Sequence, residues 1–214
     1  MKKSCRIYLV RHGQTDWNKE KVFRGLADRP LSDAGRAEAL AVGEALKDEP
    51  VDFIYASPLK RARQTVEPLA RWKRKRIRPA PGLIDIDYGE WSGLAEAAAQ
   101  KAYPKLYKAW RQRPETVTFP HGESLARVAR RALVQLKELA ALHPGQTVVV
   151  ASHRVVCKVI VLKLLGLPLR KFWDVKQDIA CLNLFEYAPP RAIVLLLNDT
   201  CHLKALPSRI TADF

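Results

Sequence analysis

The chain is predicted to be an α/β protein on a mostly parallel sheet with an antiparallel edge, and three features point to it. Short β-branched runs alternate with longer stretches of helical periodicity, the pattern left by strands connected through helices. Two of these runs, Ile7 to Val10 and Gln146 to Ser152, stop abruptly, the first at Arg11-His12-Gly13 and the second at His153-Arg154. Polar residues of that kind belong at the carboxyl ends of strands, where open α/β sheets bind ligands. The last two runs, Ala180 to Tyr187 and Ala192 to Asn198, are joined at Ala188-Pro189-Pro190. So short a connection requires an antiparallel pair.

The composition narrows the class without choosing a function. The 214 residues are 48% hydrophobic, ample for a sizeable core, and carry a net charge of +15. Such a charge favours anionic partners in general: phosphate esters, nucleic acid or acidic lipid. No apolar run approaches the ~18 residues of a membrane span. Lys2 and Lys3 are followed by too short an apolar run for a signal peptide. A cytoplasmic protein with no membrane partner is therefore expected. Cys5, Cys157, Cys181 and Cys201 form no C-x-x-C pair and are expected as reduced thiols. The five histidines are too scattered for a metal-binding spacing, so neither a metal nor a cofactor is expected.

In chain order, the first strand runs into Arg11, His12 and Gly13. Gly13 permits a tight turn and close approach to a ligand. Arg11 offers a planar fork of donors suited to phosphate. His12, when neutral, can be a nucleophile. Thr15 and Asn18 add uncharged hydrogen-bonding groups. The loop from Val22 to Leu31 follows, with Arg24 and Gly25 as candidate substrate contacts. Ser32 reads as the N-cap of a helix ending near Pro50. Val51 to Ala56 is the second strand. Ser57 as N-cap and Pro58 as first helical residue predict the next helix. Arg61, one turn in, can point back towards the strand ends.

The run Arg71 to Arg78 holds six basic residues in eight. It is expected to be a solvated helix end and loop, with no specific nucleic-acid role. An acidic, aromatic loop, Leu83 to Gly93, comes next. Residues from Leu94 to about His143 read helical, with segments at Leu94–Ala102, Lys105–Arg111 and Ser124–Leu142 around an irregular Pro114 to Gly122. Lys101, Arg111 and Arg113 are potential substrate contacts, although each alone reads as a surface charge. After the Gln146–Ser152 strand, His153 and Arg154 open an apolar helix that Gly166 closes.

Four blocks in this order resemble the histidine phosphatase superfamily, also called the phosphoglycerate mutase-like family. They are Leu9-Val10-Arg11-His12-Gly13-Gln14-Thr15-Asp16-Trp17-Asn18, Ser57-Pro58-Leu59-Lys60-Arg61-Ala62-Arg63-Gln64-Thr65, the loop ending Gly89-Glu90-Trp91-Ser92-Gly93, and Ser152-His153. Phe119-Pro120-His121-Gly122-Glu123-Ser124 and Leu197 to Leu203 are similar to further family segments. The resemblance implies a three-layer α/β/α sandwich, one domain over residues 1–214 with a helical insert at about 94–143. It implies a metal-independent phosphomonoester hydrolase acting on small phosphorylated metabolites through a phosphohistidine. His12 would be the nucleophile, Arg11, Arg61 and His153 the groups that neutralise the phosphoryl oxygens. Aligned on Gly89, Trp91 and Gly93, the acidic proton donor falls on Asp85, with Asp87 and Glu90 as alternatives; the family commonly has Glu there. Arg154 stands where glycine is common. It is either a phosphate ligand or a cation at the pocket edge, and its unfavourable place at a helix N-terminus favours a ligand role.

Within that family a mutase, a sugar bisphosphatase and an α-ribazole phosphatase are the alternatives; a non-catalytic anion-binding module is the alternative of another class. Ile84-Asp85-Ile86 lacks the Asn and Arg that flank the acid in the mutase branch, so hydrolysis is expected over exchange. The short tail, Thr200 to Phe214, would leave the site open to water. The resemblance allows a homodimer.

Overall fold

Strand β1 (Cys5–Arg11) forms because Ile7 and Leu9 face one layer of core while Tyr8 and Val10 face the other. That two-sided burial is the mark of a strand sandwiched between helices. The computed structural model describes residues 3–206; the tail beyond Leu206, which includes part of the Thr200 to Phe214 segment, lies outside the described residues. After β1 come the short α1 (Asp16–Lys19), α2 (Asp33–Leu46), β2 (Val51–Ala56), α3 (Lys60–Trp72) and β3 (Ile77–Pro79). An acidic loop leads to α4 (Glu96–Ala102), α5 (Pro104–Gln112) and α6 (Leu125–Leu142). The chain then re-enters the sheet with β4 (Thr147–Ser152), α7 (Arg154–Leu164), β5 (Leu182–Ala188) and β6 (Arg191–Asp199).

The six strands lie in the order β3-β2-β4-β1-β5-β6. β3, β2, β4 and β1 are parallel; β5 runs antiparallel to β1, and the edge strand β6 antiparallel to β5. One core joins Tyr8, Val10, Ile54 and Val149 of the sheet to Val42 and Leu46 of α2 and Val66 and Leu69 of α3. The other joins Ile7, Leu9, Val148 and Val150 to Leu136 of α6 and Val156 and Ile160 of α7. These are the three predicted layers. No helix among the described residues is long and apolar enough to cross a membrane.

Register positions the site. Arg11 pairs with Ser152 across β1 and β4, so His12 and His153 leave the sheet level with each other. Ala56 pairs with Ala151, and the Ser57 N–H donates to Ala151 O at 2.9 Å, which sets Ser57 in the same row.

Two expectations are corrected. Helix α3 begins at Lys60, with Leu59 as N-cap in extended conformation, three residues after the Ser57 cap that the sequence suggests. Ser57 is instead fully buried, and its hydroxyl is used by His153. The basic run is also not merely helix end and loop: Ile77 to Pro79 add a parallel edge strand to β2. Its cations suit that place, since charge on an edge discourages further strands from adding, and Arg78 lies 4.5 Å over the Phe53 ring. Ser32 does cap α2, accepting from Gly35 N, and Ser124 caps α6, accepting from Arg127 N.

Candidate active site

The signature loop is held against α2 at close quarters. A Cβ on Gly35 would meet Gln14 O at 2.0 Å, so only glycine lets the helix approach there. The Gln14 N–H donates to the buried carboxylate of Glu38 at 2.6 Å, and the Gly13 N–H to Thr65 Oγ1 at 2.9 Å. Thr15 and Asn18 form a reciprocal capping box at the start of α1, in which Asn18 Oδ1 accepts from both the backbone and the hydroxyl of Thr15. These contacts fix the turn that carries His12.

His12 Nδ1 lies 2.7 Å from Gly13 O. A carbonyl only accepts, so Nδ1 carries the proton and Nε2 the lone pair. Burial, and after it the charges of Arg61, His153, Arg11 and Arg24, hold the imidazole well below the ordinary histidine pKa. Burial is the larger cause. The His153 ring stands 5.3 Å away, centroid to centroid. Its Nδ1 accepts from Arg61 Nε at 3.2 Å, which leaves Nε2–H to donate to Ser57 Oγ at 2.7 Å. Burial, then Arg61 and Arg24, keep His153 neutral as well.

Arg61 is fully buried and is the hub of the site. Besides His153 it donates to Ala27 O at 2.7 Å, to Gly25 O at 2.8 Å and to Asp85 Oδ2 at 2.9 Å. Four of its five N–H groups therefore organise protein around the cleft. Arg11, equally buried, donates to Gln177 O at 2.6 Å.

Asp85 stands at the end of a loop clamped from two sides. Trp91 is fully buried, edge-on to Phe23 and Phe119 at 5.0 and 5.1 Å. Gly89 turns with φ +52°, and a Cβ there would strike Pro120 O at 1.9 Å. From the other side Arg131 of α6 donates to the carbonyls of Gly82, Ile84 and Asp85 at 2.9, 2.6 and 2.9 Å, and pairs with Glu123. Glu123 in turn accepts the Asp87 N–H at 3.1 Å. Asp87 accepts from Gly89 N and Glu90 from Tyr103. Of the three acids, Asp85 alone lines the cleft.

That cleft, with about 340 Å³ of open space, is lined by His12, Val22, Phe23, Arg24, Asp85, Tyr88, Arg154 and Val155. It brings together residues from four separate stretches of chain. Gly25 contributes its carbonyl to Arg61 from a left-handed turn (φ +49°). Lys101, Arg111 and Arg113 are all exposed, and Arg111 lies over the Trp173 ring. Among the described residues no cluster of metal-ligating side chains forms. Ser57, Glu38, Thr65, Glu123 and Arg131 went unrecognised as site residues in the sequence.

Residues 7–200 match the profile of the histidine phosphatase superfamily (branch 1). The chain belongs to that superfamily. Its relatives include phosphoserine phosphatase 1 of Hydrogenobacter thermophilus, 37% identical over 198 residues, which cover 92% of this chain and 94% of that one. Among solved structures, Bacillus stearothermophilus YhfR superposes with a TM-score of 0.90 at 27% identity, covering 94% of this chain and all of its own. A mycobacterial glucosyl-3-phosphoglycerate phosphatase superposes with a TM-score of 0.83 at 27% identity, covering 91% and 99%. Membership accounts for the order of the four blocks along the chain and for the pairing of two histidines at adjacent strand ends.

Proposed function

We propose that this histidine phosphatase hydrolyses phosphomonoesters of small metabolites through a phosphohistidine on His12. The observation that carries the reading is the Nδ1–H of His12 donated to Gly13 O, which leaves Nε2 as a lone-pair nucleophile on a cleft-lining residue. The relatives' names, phosphoserine phosphatase and glucosyl-3-phosphoglycerate phosphatase, support substrates of that size.

Nε2 attacks phosphorus, and the bond from phosphorus to the ester oxygen breaks. Arg11, Arg24 and Arg61 neutralise the charge of the phosphoryl oxygens in this reading, which is most of what phosphoryl transfer asks of a protein. Asp85 protonates the departing alkoxide. In the resting arrangement both its oxygens accept, Oδ2 from Arg61 and Oδ1 from Ile86 N. A phosphate dianion bound beside Arg61 competes with Asp85 Oδ2 for that guanidinium and frees the oxygen to face the leaving group. In the second half, Asp85 takes a proton from water, the water oxygen joins phosphorus, and the phosphorus–nitrogen bond breaks. Phosphate leaves and His12 is restored. His153, neutral and held by Ser57, acts as a fixed wall beside the nucleophile and a route for Arg61's orientation. The four free thiols, three of them buried, fit the reducing cytoplasm we assign to the protein.

Rapid quench with labelled substrate tests this: an acid-labile, alkali-stable phosphoenzyme is expected, absent in His12→Ala. Full turnover by that variant would sink the reading. Phosphoglycerate with a trace of bisphosphoglycerate should give free phosphate faster than isomer exchange.

A further inference from the structure

Asn183 is fully buried in β5, among the apolar neighbours Leu182, Leu184 and Phe185. Asparagine is depleted in strands, and a buried amide costs free energy unless its groups are paired. Here all of them are. Nδ2 donates to Leu9 O at 3.1 Å and to Gln177 Oε1 at 2.8 Å. Oδ1 accepts from Asn198 N and from Gln177 Nε2, both at 2.9 Å. A carbonyl only accepts and a backbone N–H only donates, so Leu9 and Asn198 fix which way the amide points. Gln177, also buried, gives its second N–H to Lys176 O at 3.0 Å, and its Oε1 also accepts from the Cys181 thiol at 3.4 Å.

The sheet bends to allow this. Leu182 pairs with Asp199 and Leu184 with Leu196, so Asn183 stands against two residues of β6, a bulge. Within it Asn198 takes φ +52°, a left-handed conformation that asparagine adopts more readily than most residues. Its side chain exchanges two hydrogen bonds with Asp178: Asp178 N donates to Oδ1 at 2.6 Å, and Nδ2 donates to Asp178 Oδ2 at 2.9 Å.

Three amides thus staple residues 177–181 to β5 and β6. That segment grips the end of β1. Arg11 Nη1 donates to Gln177 O at 2.6 Å and Arg11 N to Cys181 O at 3.2 Å, while Ala180 N donates to His12 O at 3.3 Å. Neither Gln177, Asn183 nor Asn198 lines the cleft. Apolar groups of the same shape could replace such a network at little cost in stability. What a fully satisfied network adds is one rigid geometry.

We propose that the Gln177–Asn183–Asn198 network is a positioning device for Arg11, directing its guanidinium at the phosphoryl group through the carbonyl of Gln177. This rests on the hydrolase reading above, in which Arg11 neutralises phosphoryl oxygens. The three amides are positioning residues and touch no reacting atom.

The test is a double-mutant cycle between Asn183 and Arg11. It is read by calorimetric affinity for inorganic phosphate and by kcat/KM for 4-nitrophenyl phosphate. N183L removes the polar atoms at similar volume; R11K keeps the charge and loses the fork. N183L should weaken both readouts by about ten-fold in the wild-type background, and by less than about two-fold in the R11K background. Q177L, which keeps the carbonyl but frees its anchor, should repeat that result. N183T, whose hydroxyl retains one of the bonds, should recover part of the loss. Either variant takes the place of N183L in the cycle if N183L melts too low to assay. An equal fall in both backgrounds would overturn the proposal, because the network would then act through general stability. Unchanged phosphate affinity in N183L and Q177L would overturn it too. Phosphate binding with the expected coupling but no turnover of any ester would overturn the hydrolase reading and leave the positioning of Arg11 standing.

Discussion

Ser57 shows how much one hydroxyl can decide. It accepts from His153 Nε2, which fixes the tautomer and leaves Nδ1 to receive Arg61. Removing the hydroxyl leaves a buried N–H without its acceptor, a cost of about 1–3 kcal/mol. Ser57→Ala should therefore lower kcat by roughly ten-fold, and Ser57→Thr should recover part of it. Unchanged kcat in the alanine variant would mean that His153 needs no such anchor. Asp85 makes a separate prediction. A general acid is worth about 10²–10⁴-fold where the leaving group is poor. Asp85→Asn should slow alkyl phosphates by that order and aryl phosphates far less; equal slowing of both would move the acid to Asp87 or Glu90. The pH dependence follows from His12. Its pKa lies well below the ordinary 6.5, so Nε2 stays unprotonated as pH falls through that value. Single-turnover formation of the phosphoenzyme from a saturating aryl ester should show no acid limb centred on 6.5. Halving of the rate there would show that the imidazole titrates normally.

At the scale of elements, the acidic loop between β3 and α4 depends on α6. Arg131 holds the carbonyls of Gly82, Ile84 and Asp85, and Glu123 holds Asp87. Arg131 touches no reacting atom; it is a positioning residue. Arg131→Gln should lower kcat for alkyl phosphates more than for aryl phosphates, in the same sense as Asp85→Asn, with KM little changed. Arg131→Lys, which cannot reach several carbonyls with a planar fork, should recover only part. A uniform fall across both ester classes would point to general loosening of the loop. What could be read from the sequence divides along the same line. His12, Arg11, His153 and Asp85 were legible because each belongs to a local pattern: a strand that ends in a polar triplet, or a turn marked by Gly89, Trp91 and Gly93. Arg131 was not, because its partners lie 46 to 49 residues away, and on its helix it resembles any cation bordering an apolar stripe. Ser57 was seen and misread. A serine before a proline looks the same whether it caps a helix or receives a histidine 96 residues later. β3 was missed because three residues flanked by cations give no alternation to detect, and only pairing with β2 makes them a strand.

Over the whole molecule the excess of positive charge, +15, is unevenly placed. The part at the β3 edge is solvent-facing: Arg71, Arg74, Arg76 and Arg78 are exposed. We expect it to bind nucleic acid only weakly, without selectivity and with steep salt dependence. Neutralising Lys73, Arg74, Lys75 and Arg76 together should leave ester hydrolysis within about two- to three-fold, because charges beyond a Debye length are screened. The charge beside the cleft differs because it includes a buried ammonium, Lys158, set near Arg154, Arg11 and Arg111 and donating to Phe172 O at 3.2 Å, and it should weigh on folding. Lys158 titrates near 7 in the folded chain against 10.5 when unfolded. Between those values the unfolded chain holds the proton and the folded chain does not, so stability rises with pH across that window. Below pH 7 both states are protonated, and the folded protein bears the full cost of a buried ammonium among three guanidinium groups. That cost is on the order of a few kcal/mol. Lys158→Met keeps the length and the contact with Phe172 but removes the charge. Its gain should be largest at pH 7 and below, and should shrink towards pH 10.5, followed as the urea midpoint at fixed m. Inorganic phosphate should also raise the melting temperature of the wild type more than that of the variant, since the wild type carries one cation more beside the cleft. A variant less stable than the wild type at pH 6 would show that the hydrogen bond to Phe172 O outweighs the charge.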